Sequence, residues 1–185
     1  MGLSLFDLGN GSAMVRPGHQ QGKEAAVVAS SRMQLGRVGA GSGATVSKWR
    51  GKEFSELGGL GCSTLREGDL IVSCLIAVNA SGDIDFGKYP DKIRDGQFNI
   101  PKVNPFENTT IGVVATNAKL TKSECFLASQ SAHDGYARAL FPAHTSGDGD
   151  AVVVAATGKV PTEMSTIRSL TTLTVETAIK SIANE

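Results

Sequence analysis

The sequence predicts an α+β fold in which helices and sheets stack as an α-β-β-α sandwich. Residues 70–78 form an almost continuous apolar run of strand length, which predicts a buried strand covered on both faces. After a long loop, the order strand, helix, strand, helix continues to the end of the chain, and this order favours a sheet covered by helices on one side. A second sheet against the other apolar face would complete the four layers.

The length and composition are those of one globular domain spanning residues 1–185. Hydrophobic residues make up 41% and charged residues 19% of the chain. Acidic and basic side chains number 18 each and aromatic residues are only 5%, so we expect no binding to nucleic acid or to an anionic membrane. No apolar run reaches the ~18 residues that a membrane span requires.

The three cysteines, Cys62, Cys74 and Cys125, are widely spaced in apolar surroundings. Their odd number and the absence of metal-ligand spacing predict reduced core thiols, with no metal site. The N-terminus has no basic region and no long apolar run, and Phe6 stands where a myristoylation signal requires serine or threonine. We therefore expect a cytoplasmic protein.

The first half of the chain is rich in small residues. Helix formers between residues 18 and 31 predict one short helix. Glycine then occupies every second position at Gly39, Gly41 and Gly43, which predicts either a tight turn between strand pieces or a nest of amide donors for an anion. The spacing matches neither the dinucleotide fingerprint nor the phosphate-binding loop. Asn79 ends the buried strand, where it either caps the turn or supplies a functional amide.

The second half begins with a predicted loop at 84–108, which contains three prolines and little periodicity. A structureless segment of this length is unusual in a compact domain, and such loops are often functional or cleaved. An apolar, β-branched strand is predicted at 109–116. Thr121 and Glu124 then form a capping box that opens a helix through about residue 140. A polar turn, a strand at 151–157 and a C-terminal helix beginning near Pro161 complete the chain.

The Asn108–Thr109 bond is the strongest candidate for chemistry. If Thr109 Oγ attacks the carbonyl carbon of Asn108, an acyl shift from nitrogen to oxygen gives an ester that water can hydrolyse. The product is an N-terminal threonine whose α-amino group, with an unperturbed pKa of ~7.7–8, can serve as general base for its own hydroxyl. An oxyanion hole is also required, and Asn79 and the amides of the 39–43 strip are candidate donors.

Other polar residues leave alternatives open. Asp148 and Asp150 flank a glycine, and either they hold the ammonium group and orient the nucleophile or they are two solvated turn acids. For His19, His133 and His144 we expect surface or capping roles rather than catalysis, and for Cys62 we expect a buried thiol.

Several segments, taken in order, carry a resemblance to a known family: 5–11, 39–45, 58–61, 77–80, 108–116, 132–135 and 148–150. Together they cover nearly the whole chain, and they resemble the L-aminopeptidase/D-esterase (DmpA-type) family of self-processing hydrolases, which includes β-peptidyl aminopeptidases. The resemblance implies an N-terminal-nucleophile-like α-β-β-α sandwich, a fold that ornithine acetyltransferases resemble. It also implies an aminopeptidase or amidase that acts on small peptides, amides or esters without a cofactor.

The resemblance assigns roles to individual residues. It implies autocleavage between Asn108 and Thr109, and an oxyanion amide at Asn79. It implies supporting roles for Asp148 and Asp150, with Ser146 as a competing match.

The chain departs from the family in length. Family precursors are nearly twice as long and the match begins near their middle, so we expect this chain to correspond to their C-terminal portion, without the first strands and part of the pocket. A tyrosine of some members aligns with Phe6, which has no hydroxyl. Such a chain would pair with a separately encoded half or form a homo-oligomer, because an exposed sheet edge is costly. An acyltransferase and a non-catalytic module are the alternative functions.

Overall fold

A computed structural model describes residues 3–5, 7–9, 11–94, 96 and 108–184. The first part of the chain contains a short helix, α1, and five strands, with a second helix following them: α1 (His19–Val28), β1 (Thr45–Val46), β2 (Glu56–Leu57), β3 (Gly59–Glu67), β4 (Leu70–Val78), β5 (Asp83–Ile84) and α2 (Tyr89–Arg94). The second part contains three strands and two long helices: β6 (Ile111–Ala118), α3 (Lys122–Ala139), β7 (Leu140–Phe141), β8 (Ala151–Val160) and α4 (Met164–Ser181).

The central element is a four-stranded sheet in the order β3-β4-β6-β8. Strand β4 runs antiparallel to both of its neighbours, β3 and β6, whereas β6 and β8 are parallel. Helix α3 provides the crossover between these two parallel strands, as a parallel connection requires. This crossover brings the beginnings of β6 and β8 side by side, with Ile111 paired to Ala151.

Helices α3 and α4 cover one face of the sheet and form the core with it. Alternate residues of β4 point to this face and are buried, among them Val72 and Ile76, and Ile167 and Ile179 of α4 pack in the same cluster. Helix α3 begins at the predicted capping box, in which Glu124 N donates to Thr121 Oγ1 at 3.2 Å.

The other face of the sheet carries an apolar row. The strand register places Cys62 beside Leu75, Leu75 beside Val113, and Val113 beside Val153. Val113 is 40% exposed and Val153 is 52% exposed. The expectation that residues 70–78 are covered on both faces is therefore wrong for the described residues, because no described strand packs on this side. The described residues thus supply one helical layer and one sheet layer of the sandwich.

The predicted loop at 84–108 is partly ordered. Its beginning includes Ile84 of β5 and the short helix α2, and the Tyr89 ring stacks on Phe141 at 4.6 Å between ring centroids. The expectation of a wholly structureless segment is therefore wrong at its start, because an aromatic contact holds it. Residues 95 and 97–107 lie outside the described residues, as does Phe6.

The cysteines are free thiols, but only one belongs to the core. Cys74 is buried, and burial raises the pKa of its thiol to about 12. Cys62 and Cys125 are half-buried, so the expectation of core thiols is wrong for these two. Cys62 lies on the open face of the sheet, beside Leu75. Among the described helices, none has both the length and the apolar character needed to cross a bilayer.

Candidate active site

The Asn108–Thr109 peptide lies against the turn that precedes β8. Asn108 pairs with Asp148 in an isolated parallel bridge, in which Asn108 N donates to Gly147 O at 3.0 Å. Gly149 N in turn donates to the carbonyl oxygen of Asn108 at 2.8 Å. Main-chain hydrogen bonds to the 147–149 turn therefore hold both the amide nitrogen and the carbonyl oxygen of Asn108.

Thr109 precedes β6, which begins at Ile111 rather than at the predicted residue 109. Its side-chain hydroxyl donates to the carbonyl oxygen of Asn108 at 2.6 Å, and its backbone nitrogen donates to Asn79 O at 2.9 Å. Thr109 is 9% exposed, whereas Thr110 is fully buried. The hydroxyl of Thr109 thus lies beside the carbonyl it would attack, and the nitrogen that cleavage would free is already held.

Asn79 is fully buried where β4 ends, and both polar atoms of its side chain have a partner. Its Oδ1 accepts from Thr45 N at 3.0 Å and from Lys48 Nζ at 2.9 Å, while its Nδ2 donates to Leu5 O at 2.7 Å. Two donors on the amide oxygen fix the orientation of the amide, so that the nitrogen is presented as the donor.

Lys48 is a site residue that the sequence analysis missed. It begins a short 3-10 turn after the glycine strip, and the preceding residue, Ser47, has φ 67°. A single lysine outside any recognised spacing gives no sequence signal, because its contact with Asn79 spans 31 positions of the chain.

Asp148 and Asp150 are not solvated turn acids, because both carboxylates accept main-chain hydrogen bonds. Asp148 accepts from Ser81 N at 2.9 Å and from Thr145 N at 3.0 Å, and Asp150 accepts from Thr110 N at 2.8 Å. Burial raises the pKa of the Asp148 carboxyl, although the hydrogen bonds from Thr145 and Ser81 oppose this shift. Asp150 therefore holds the amide that follows Thr109, and Asp148 ties the 145–148 turn to Ser81.

His144 is exposed, as expected, and its ring also contacts this neighbourhood. Its Nδ1 lies 2.8 Å from Asp150 Oδ2, and this hydrogen bond raises the pKa of the imidazole. The His133 ring lies 5.0 Å from the His144 ring between centroids, and burial is the main cause that lowers the pKa of His133. His144 connects through Asp150 to the amide that follows Thr109, so it belongs to the network of the site.

The glycine strip forms a tight turn, the first of the two predicted alternatives. Gly39 has φ 52°, and Gly41 N donates to Val38 O at 2.8 Å within the turn. A Cβ on Gly41 would lie 2.7 Å from Leu60 N, so the strip packs directly on the backbone of β3. A Cβ on Gly43 would meet the carboxylate of Asp7.

Ser146 is exposed in the polar turn, and Gly149, three residues further along, is the residue that lies against Thr109. A Cβ on Gly149 would lie 2.9 Å from Thr109 Oγ1. The structure thus brings Asn79, Asn108, Thr109, Asp148 and Asp150 together. Gly149 was part of a matched segment, but a glycine between two acids carried no signal of its own.

Comparisons with known proteins identify the family of this chain. The chain is 32% identical over 181 residues to an uncharacterized aminopeptidase of Mycobacterium tuberculosis, an alignment that covers 86% of this chain and 51% of the relative. It is 26% identical over 204 residues to a 6-aminohexanoate-oligomer endohydrolase of Paenarthrobacter ureafaciens, covering 98% of this chain and 56% of that protein. The chain therefore spans about half the length of these curated relatives.

A solved structure shows the same fold. The L-aminopeptidase D-Ala-esterase/amidase from Ochrobactrum anthropi, described as a new variant among the Ntn hydrolase fold, superposes with a TM-score of 0.58 at 17% identity. The match covers 83% of this chain and 46% of that structure. The family model of peptidase family S58 matches residues 3–185, which is nearly the entire sequence. This chain therefore belongs to peptidase family S58.

Proposed function

We propose that this chain carries the nucleophile of a self-processing hydrolase of the aminopeptidase and amidase type. Cleavage between Asn108 and Thr109 would expose Thr109 as an N-terminal nucleophile. The observation that carries the proposal is the 2.6 Å hydrogen bond from Thr109 Oγ1 to the carbonyl oxygen of Asn108. This contact keeps the hydroxyl next to the carbonyl group whose carbon it would attack.

The residues around Thr109 suit the steps that follow cleavage. The freed nitrogen of Thr109 would be an α-amine held by Asn79 O, where it could take the proton of the hydroxyl as substrate is attacked. The fixed side-chain amide of Asn79 is the proposed oxyanion donor for the substrate carbonyl, through the second hydrogen of Nδ2, since the first is donated to Leu5 O. Asp150 would position the peptide that follows the nucleophile through Thr110 N, and Asp148 would hold the turn against Ser81 N.

The proposed substrates are small peptides, amides or esters. Support comes from the names of the three relatives: an aminopeptidase, an oligomer endohydrolase and an aminopeptidase with esterase and amidase activity. The proposed location is the cytoplasm, which accords with three free thiols.

The open face of the sheet is a suitable surface for a partner to pack on. Its row of Cys62, Leu75, Val113 and Val153 would be buried if a second sheet packed on it about 10 Å away, as sheets in sandwiches do. We propose that a complementary half of the sandwich occupies this face, and that a second copy of this chain is the alternative occupant.

Intact-mass measurement of freshly purified and incubated protein tests the self-cleavage. We expect the 19.2 kDa chain to separate into two fragments that meet between residues 108 and 109. Thr109→Ala should abolish this cleavage. Thr110→Val is the matched control, because among the described residues the buried Thr110 hydroxyl has no hydrogen-bond partner. A wild-type chain that persists uncleaved would contradict the proposal.

A second assay separates hydrolysis from acyl transfer. The processed protein should hydrolyse aminoacyl nitroanilides steadily without any added amine acceptor. Turnover that begins only when an amine is supplied would indicate a transferase instead.

A further inference from the structure

We propose that Gly149 is catalytic in the self-cleavage step. Its backbone N–H would be the oxyanion donor for the Asn108 carbonyl, and its missing side chain would leave the space that the Thr109 hydroxyl needs. The inference rests on the proposed self-processing, and it assigns the electrophilic side of that reaction to a residue to which neither the sequence analysis nor the proposed function gives a role.

The geometry of the N–H carries the first half of the inference. Gly149 N lies 2.8 Å from the carbonyl oxygen of Asn108, within the range of an oxyanion-hole donor. The carbonyl accepts one other hydrogen bond among the described residues, from Thr109 Oγ1. When Thr109 Oγ1 attacks and its own hydrogen bond is given up, the Gly149 N–H remains on the oxygen.

The donor is held in place before the reaction. The residue before Gly149, Asp148, is tied to Ser81 and Thr145, and the residue after it, Asp150, is tied to Thr110 and His144. Gly147 O accepts from Asn108 N, so the same turn also fixes the residue that carries the carbonyl. A donor fixed on both sides costs no reorganisation when charge develops, which is what makes such groups effective.

The chemistry balances with this donor in place. A bond forms between Thr109 Oγ1 and the carbonyl carbon of Asn108, and the electron pair of the carbonyl moves onto its oxygen beside the Gly149 N–H. The C–N bond then breaks, and the proton that left the Thr109 hydroxyl passes to the departing nitrogen of Thr109. Water hydrolyses the resulting ester, which leaves a carboxylate on Asn108 and restores the hydroxyl.

The absence of a side chain at Gly149 supports the second half of the inference. A Cβ on Gly149 would lie 2.9 Å from Thr109 Oγ1 and 3.7 Å from the Asn108 oxygen. The first distance is shorter than real Cβ atoms show, so the hydroxyl would have to move. Threonine has few χ1 choices because it is branched at Cβ, so it cannot move its hydroxyl freely away from an alanine.

The first test removes the N–H alone. Cys125 permits native chemical ligation of a recombinant segment 1–124 to a synthetic segment 125–185. In one full-length chain an ester replaces the Asp148–Gly149 amide. In the control chain an ester replaces the Ser146–Gly147 amide, whose N–H donates to Thr145 Oγ1 and not to the scissile carbonyl. After refolding, circular dichroism monitors folding and intact mass gives the cleavage rate.

Loss of one oxyanion donor typically slows a reaction by roughly 100- to 1000-fold, and we expect this loss in the Gly149 ester relative to the Gly147 ester. Equal cleavage rates would overturn the inference. A Gly149 ester chain that fails to fold while the Gly147 ester chain folds would overturn it too, because the N–H would then be needed for folding rather than for cleavage.

The second test addresses the missing side chain with ordinary variants. We expect Gly149→Ala to slow cleavage by about tenfold or more. A tenfold slower rate corresponds to about 1.4 kcal/mol of extra barrier, which is the cost we expect for displacing the Thr109 hydroxyl. The double variant Gly149→Ala with Thr109→Ser should keep most of the cleavage rate of Thr109→Ser alone. The reason is that serine can rotate its hydroxyl away from the new methyl group. Gly149→Ala cleaving at the wild-type rate would overturn this half. If the wild-type chain itself does not cleave, the proposed function fails and not this assignment alone.

Discussion

The glycine strip at 39–43 and the turn at 147–149 look alike in sequence and differ in what their amides contact. Gly41 N donates within its own turn, to Val38 O. Gly149 N donates outside its turn, to the carbonyl oxygen of Asn108. One glycine segment therefore shapes and packs the backbone, and the other presents a donor to the candidate scissile bond.

The comparison shows that glycine spacing predicts a close approach but not its partner. At Gly41 the close neighbours are the backbone atoms of Gly36, Gly59 and Leu60, so the approach is between two pieces of scaffold. At Gly149 the close neighbour is the Thr109 hydroxyl. Substitution of the first glycine should therefore affect stability, and substitution of the second should affect cleavage.

The largest expected effect is on stability, from Gly41→Ala. Backbone atoms surround the new Cβ and cannot rotate away, so we expect a loss of about 3 kcal/mol, at the upper end for overpacked sites. For a chain of this size the melting temperature should fall by roughly 6–12 °C. Thermal unfolding measures this, with Gly22→Ala as the control, because nothing lies within 4 Å of a Cβ there. If Gly41→Ala slows cleavage while leaving the melting temperature unchanged, the distinction drawn between the two glycine segments is wrong.

The next effect is on cleavage, from Asp150→Asn. The carboxylate accepts from Thr110 N at 2.8 Å, and hydrogen bonds to charged groups are worth about 1.5–3 kcal/mol. If much of this energy positions Thr109, the cleavage rate should fall by roughly 10- to 100-fold. Time-resolved intact mass measures the rate, and Asp134→Asn on the exposed side of α3 is the control. Equal cleavage rates in the two variants would show that the position of Thr109 does not depend on the Asp150 carboxylate.

The smallest effect is a pH dependence from His144. Asp150 raises the pKa of His144, so the folded chain favours the protonated ring. This stabilisation is fully present below the ordinary histidine pKa of ~6.5 and is lost as pH rises through the raised pKa. Because the His144 side chain is 38% exposed, solvent screening should keep its contribution below about 1 kcal/mol.

Denaturant unfolding of wild type and His144→Asn between about pH 5.5 and about pH 8 measures this contribution. The difference between the two free energies of unfolding should shrink as pH rises. Asp148 and Asp150 face His144 from the turn, and His133 faces it from α3 with a lowered pKa, so protonation of His133 opposes folding as pH falls. His133→Asn, titrated separately, isolates that opposing effect. If the difference between the free energies of unfolding of wild type and His144→Asn stays constant with pH, the contact between His144 and Asp150 does not contribute to stability.

Local patterns accounted for much of the fold. The buried strand at 70–78 is β4, and the Thr121–Glu124 capping box begins α3, because both depend on neighbouring residues in the chain. The expected cover on the second sheet face was wrong for the described residues, since apolar side chains indicate that a face can be buried and not what buries it. The helix in the predicted loop was missed, because Tyr89 is held by an aromatic contact with Phe141, which is distant in sequence.

The candidate site also contains residues that the sequence could identify and residues that it could not. Asn108 and Thr109 could be named from the sequence, because the attacking hydroxyl and the carbonyl it would attack are adjacent in the chain. Lys48, His144 and Gly149 could not be assigned from the sequence, because their roles come from contacts made across strands and turns. The sequence by itself determined the candidate bond and the proposed nucleophile, whereas only tertiary structure decided which amides and carboxylates surround them, since the crossover through α3 brings the 147–150 turn beside Thr109.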